Sequence, residues 1–115
     1  MADDNIFAES EALGRVADDR ELFKEIFKAF AQDLPLQIKK LRNALAKKDV
    51  QAAENTAHTI KGAMANLSAI RGCAAARAIE ESVKKGELQR AGKLTDELER
   101  EVASLIKLVK ERGLS

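Results

Sequence analysis

One cysteine, one histidine, one proline, no tryptophan and no tyrosine occur among the 115 residues. Each scarcity removes a class of protein. With Cys73 alone, no disulfide closes within the chain and no thiolate cluster holds a metal. That thiol is expected to pack as a small hydrophobe, in a chain suited to a reducing cytoplasm. With His58 alone, a histidine-built metal site lacks its partners. A Ser-His-Asp or Cys-His arrangement can be assembled on paper, but no spacing supports one. The six glycines are scattered and no G-x-x-x-x-G-K-[ST] run is present, so no P-loop nucleotide site is expected. The 20 Lys and Arg barely exceed the 19 Asp and Glu. A net charge of +1 leaves no basic excess for neutralising nucleic-acid phosphates. No apolar run approaches the roughly 20 residues of a membrane span, and the acidic, polar first five residues are unlike a signal peptide. The expectation is one soluble, monomeric, cytoplasmic domain over residues 1–115, with neither nucleic acid nor membrane as partner.

What is present favours helices. Alanine occurs 20 times, while β-branched and aromatic residues are sparse. Apolar residues recur at spacings of three and four rather than alternating. A short first helix is expected over about Ile6 to Val16, with Asn5 as its cap. Asp18 or Asp19 caps a second helix with the stripe Leu22, Phe23, Ile26, Phe27 and Phe30. Asp33 and Pro35 mark a break or tight kink, after which a third helix carries Leu34, Ile38, Leu41 and Leu45 to about Lys47. Asp49 caps a fourth helix, Val50 to Leu67, with Ala53, Ala57, Ile60, Met64 and Leu67 inward. Ser68 is expected to cap a fifth helix, which ends at Gly86 behind Lys84 and Lys85. A sixth runs from Leu88 to Arg112 on the stripe Leu94, Leu98, Val102, Leu105 and Val109; Gly92 marks a kink and Gly113 closes it. Short connections make successive helices antiparallel. The fold expected is all-α: an antiparallel up-and-down four-helix bundle with one or two extra short N-terminal helices.

The informative stretch is Ala57 to Ala69. At 100° per residue the inward residues of the fourth helix fall in a sector of about 80°. Measured from its centre, His58 lies near 140°, Gly62 near 180°, Ala65 near 120° and Lys61 near 80°, all rough values. His58 therefore faces outward, with a Gly and an Ala beside it and a Lys on its flank. A lone outward histidine is by itself an ordinary surface residue, and a lone lysine an ordinary solvated one. Gly62 is harder to dismiss, because a mid-helix Gly costs about 1 kcal/mol relative to Ala. On an outer face, close approach of another surface is the usual reason to accept that cost. A nucleophile with a bare patch beside it suits a macromolecular donor. Lys61, three residues on, can favour neutral imidazole and offset added negative charge.

His58-Thr59-Ile60-Lys61-Gly62, followed by Ala65-Asn66-Leu67-Ser68-Ala69, resembles the H-x-x-K-G and N-L/I-G-A signature of histidine-containing phosphotransfer (HPt) domains of two-component phosphorelays. The stretch Ala75 to Glu80 resembles the family's A-x-x-L-E pattern, with Ile79 for Leu. The resemblance extends over nearly the whole chain. It implies a phosphocarrier: His58 accepts a phosphoryl group on Nε2 from a receiver-domain aspartyl phosphate and passes it to another receiver. It implies further that Lys61 stabilises the group and that Gly62 and Ala65 leave room for the partner. Glu80 stands where some members carry Gln near the ring; it would orient Lys61 or His58, or form a plain surface ion pair. Ser68 replaces a frequent Gly, and as an alternative cap is expected to have little consequence. The implied partners are response-regulator receiver domains and a hybrid sensor kinase. The chain itself would hold no cofactor, Mg²⁺ being brought by the receiver, and with no kinase module it would not use ATP. Two other readings stay open at this level: a helical adaptor in which His58 is incidental, and a small enzyme with His58 as general base. Neither requires Gly62 beside an outward histidine.

Overall fold

The computed structural model describes residues 2–115. All regular structure among them is helical: α1 (Ala2–Ile6), α2 (Glu9–Gly14), α3 (Arg20–Ala46), α4 (Val50–Asn66), α5 (Ile70–Lys84) and α6 (Leu88–Glu111). The four long helices are joined by connections at 47–49, 67–69 and 85–87, short enough to make neighbours antiparallel. Packing of α3 on α4, α4 on α5, α5 on α6 and α6 back on α3 closes the four-helix bundle.

The stripes forecast for α4 and α6 form the core. Ala53, Ala57, Ile60 and Met64 of α4 are fully buried, as are Leu98 and Val109 of α6. Asp19 and Asp49 cap α3 and α4, accepting from the backbone N–H groups of Leu22 (3.0 Å) and Ala52 (3.1 Å). Cys73 is half-buried against the core. Helix α6 is helical throughout, Gly92 included.

Several expectations need correction. The second and third helices are one: α3 runs 27 residues with Pro35 inside it. An interior proline costs about 3 kcal/mol. Against that stands a stripe, Phe23, Phe27, Leu34, Ile38 and Leu41, that stays in helical phase across position 35 and is buried along its length. Each such side chain contributes roughly 1.5–3 kcal/mol, so continuity outweighs the lost hydrogen bond. Pro35 itself is exposed, where water can serve the carbonyl its ring leaves unpaired. Leu22, placed on the stripe by sequence, is instead 41% exposed.

The expected helix Ile6–Val16 is two helices, and Asn5 lies within α1 rather than capping it. The chain bends at Phe7 and Ala8 because Phe7 turns into the core, fully buried, its ring 5.6 Å from that of Phe23. Ala8 leaves the helical conformation (φ −83°, ψ 82°), and its N–H donates to the Ser68 carbonyl at 3.0 Å. Helix α3 is longer than α4 by 27 residues to 17, and the overhanging stripe is covered by Phe7 and by Ala12 and Leu13 of α2.

Ser68 does not cap α5. It follows the C-terminus of α4 with a left-handed backbone (φ 54°), its N–H donating to Ala65 O (3.0 Å) and that of Ala69 to Met64 O (2.9 Å). This is a Schellman ending, the position where glycine is favoured for its backbone freedom. The same pair of bonds closes α3 at Lys48, α5 at Gly86 and α6 at Gly113. Ser68 offsets part of its strain through its hydroxyl, which donates to Glu11 Oε1 (3.1 Å) and accepts from Arg15 Nε (3.3 Å).

Candidate functional site: an exposed imidazole on α4

The inward residues Ala57 and Ile60, fully buried, fix the rotation of α4 and so turn His58 outward. The His58 side chain is 67% exposed. Gly62 and Ala65 lie on the same open face, and a Cβ built at Gly62 meets nothing within 4 Å. Bulk at position 62 therefore meets only solvent. A different glycine serves the interior: at Gly72 of α5 a Cβ would stand 2.5 Å from Met64 Sδ, so α4 and α5 approach there only because a side chain is missing.

The group that organises the face comes from α5. Ile79 and Val83, both fully buried, hold one side of that helix against the core. Glu80 lies on the edge of this side, against α4, and is 6% exposed. Its carboxylate accepts two hydrogen bonds from α4: Lys61 Nζ at 2.7 Å on Oε1 and His58 Nδ1 at 3.2 Å on Oε2. Lys84 Nζ stands 3.8 Å from the same Oε2 and 3.9 Å from Oε1 of Glu54. The hydrogen bond from Lys61 is the strongest influence on the acidity of Glu80. With the charges of Lys61 and Lys84 it holds the carboxyl below its ordinary range, against the opposing effect of burial, and a charge on the His58 ring would act in the same direction.

An ionised Glu80 has no proton to give, so the hydrogen between it and His58 belongs to Nδ1. The neutral imidazole is thereby held as the Nδ1–H tautomer. Its Nε2 keeps a free lone pair and has no hydrogen-bond partner among the described residues. Neutral imidazole is nucleophilic, and here it sits on a side chain that is mostly open to solvent.

Of the residues singled out from sequence, His58, Lys61 and Glu80 meet in one hydrogen-bonded cluster, and Gly62 and Ala65 border it. Glu80 is not the surface ion pair allowed as an alternative; it is buried and bridges two side chains. Sequence reasoning missed Lys84 and Glu54. Lys84 had been taken only as a basic stop signal, although it lies four residues after Glu80 and so shares its face. Glu54 stands four residues before His58 in the same way.

An exposed nucleophile of fixed tautomer on an open helix face is the arrangement of a group carrier that meets another macromolecule. The Hpt domain family model matches residues 25–107, a span that holds the whole cluster. The fold resembles that of histidine-containing phosphotransfer protein B from Pseudomonas aeruginosa PAO1, 31% identical, with a TM-score of 0.80 over 90% of this chain and 91% of that one. The HPT domain of a sensor hybrid histidine kinase from Shewanella is 20% identical, with a TM-score of 0.73 over 93% and 96% of the two chains, a likeness of fold. No curated protein matches the sequence. The chain belongs to the Hpt family and is a histidine-containing phosphotransfer protein of phosphorelay signalling. No helix among the described residues is long and apolar enough to cross a membrane.

Proposed function

We propose that His58 is the phosphoacceptor, that it is loaded by the aspartyl phosphate of a receiver domain, and that it passes the group to a second receiver. The observation that carries this reading is the hold of Glu80 on Nδ1, which leaves Nε2 as the open nucleophile. In the loading step a bond forms between Nε2 and phosphorus as the bond from phosphorus to the aspartyl oxygen breaks, its electron pair leaving with the carboxylate. No proton is transferred. The ring keeps its Nδ1 hydrogen and becomes cationic, and the Glu80 carboxylate 3.2 Å away stabilises that charge. Lys61 offsets part of the charge of the phosphoryl group. Positioning and neutralisation dominate such transfers.

Gly62 and Ala65 leave room for the loops around the receiver's aspartate. Beyond them, Ala65, Ile70, Cys73 and Arg77 line a shallow groove of about 260 Å³ that continues the bare patch. The receiver brings the Mg²⁺, and this chain binds no ATP. Receiver domains and a hybrid sensor kinase are the proposed partners of a monomeric, cytoplasmic carrier.

Incubation with a ³²P-labelled phospho-receiver tests the reading. Label should move to the wild-type chain and be lost in acid but kept in base, as for a phosphoramidate. His58→Gln should keep the fold and take no label. Label that persists in this variant, or that withstands acid, contradicts it.

A further inference from the structure

Two lysines approach the Glu80 carboxylate, and they are held very differently. Lys61 Nζ donates a 2.7 Å hydrogen bond, and its side chain is 26% exposed. Lys84 Nζ has no contact that short. It stands 3.8 Å from Glu80 Oε2 and 3.9 Å from Glu54 Oε1, divided between two carboxylates, with 55% of its side chain exposed. The oxygen it faces on Glu80 is the one that accepts from His58 Nδ1. Along α4, Glu54 is one turn before His58 and Lys61 about one turn after it, so the two ammonium groups flank the imidazole from opposite sides.

Charge counting favours a further role for the looser of the two. With neutral imidazole, Lys61 and Lys84 balance Glu54 and Glu80. Transfer of a phosphoryl group adds one net negative charge to this cluster: the group arrives with two and the ring gains one positive. That positive charge is already served by Glu80. The phosphoryl oxygens need a donor that can leave its present position at little cost. Lys61 would give up a short, largely buried hydrogen bond to a carboxylate. Lys84, itself more than half exposed, would give up two contacts that are both longer than a hydrogen bond and contribute little.

We propose that Lys84 is the mobile counter-charge of the phosphorylated state, swinging from its place between Glu54 and Glu80 to contact the phosphoryl oxygens on His58 Nε2, while Lys61 stays bonded to Glu80. This rests on His58 as the acceptor, but its test needs no receiver. The full chain is phosphorylated with potassium phosphoramidate, and its single histidine gives one phosphohistidine signal in the ³¹P NMR spectrum. That signal is titrated from high pH through the second ionisation of the phosphoryl group.

A nearby ammonium favours the dianion. Lys84→Gln should therefore raise the phosphoryl pKa by about half a unit, a threefold change in proton affinity, with a smaller difference in high salt. Lys84→Arg should restore most of the wild-type value. Lys107→Gln removes the same charge at an exposed site on α6 and should leave the titration unmoved. A Lys84→Gln titration that coincides with wild type overturns the proposal, as does a shift that Lys84→Arg does not reverse or that Lys107→Gln reproduces. Failure of labelling by a phospho-receiver, with phosphoramidate still giving the Lys84-dependent titration, would instead remove the transfer reading and leave this contact in place.

Discussion

Glu80 illustrates how one buried residue can set the chemistry of an exposed one. It has three cationic or imidazole neighbours and almost no contact with solvent, and its preference for the ionised form dictates which ring nitrogen of His58 carries hydrogen. Glu80→Ala should free the ring to populate both tautomers, visible in ¹⁵N imidazole shifts. It should slow receiver-dependent loading by about five- to tenfold without unfolding the chain, since orientation rather than the nucleophile is lost. Glu80→Gln keeps a carbonyl acceptor for Nδ1–H and should have the milder effect on tautomer. The pH dependence has a definite sign. A carboxyl whose folded pKa is depressed adds stability that is present above its unfolded value, about 4.3 for Glu, and is lost as pH falls through the folded value. Acid titration of the fold should thus show wild type losing stability relative to Glu80→Gln below about pH 4.

The glycines contrast an open face with a packed one at the same scale. Gly62 faces open space and Gly72 faces Met64. Gly62→Ala should stabilise the domain by up to about 1 kcal/mol through helix propensity. Gly62→Gln should melt near wild type yet transfer far more slowly. Gly72→Ala should lower stability by about 1 kcal/mol, because crowding against a fully buried Met64 outweighs the gain in propensity. Thermal melts and transfer rates on the three variants check this; a Gln at position 62 that transfers normally would contradict the docking role. The outward group His58, Lys61, Gly62 and Ala65 was legible in sequence because all four lie on one helix, where the 100° rotation fixes their directions. The embrace of Glu80 and the approach of Lys84 were not legible, because they depend on the register between α4 and α5, which no single-helix periodicity encodes.

At the scale of elements, the caps and stripes were readable and the breaks were misjudged. Asp19 and Asp49 act locally, so a sequence pattern suffices to find them. Pro35 was given the weight of a helix breaker, yet the apolar residues on either side of it remain in phase, which is the signal that α3 continues. Tertiary burial overrides the local cost there. The cost persists, however. Pro35→Ala should restore a backbone N–H at an exposed position and stabilise the chain by about 1–2 kcal/mol, measured by urea denaturation. An unchanged or lower stability would contradict the account of α3. The Phe7 bend and the bonds of the Ser68 hydroxyl and carbonyl were illegible for a shared reason: they join the N-terminal helices to α3 and to the α4–α5 turn, remote in sequence.

Over the whole molecule, the bundle serves to hold α4 and α5 in one register so that an outward imidazole has an inward partner. The family match covers residues 25–107, and α1 and α2 lie outside it, sealing the overhang of α3 with Phe7. The central claim is that the phosphoryl group resides on Nε2 of His58 because Glu80 occupies Nδ1. The most direct measurement loads ¹⁵N-labelled chain from a phospho-receiver and reads the ³¹P–¹⁵N coupling of the product. The account predicts a single coupling to Nε2, with Nδ1 still protonated. Coupling to Nδ1, or phosphorus on any residue other than His58, would contradict it.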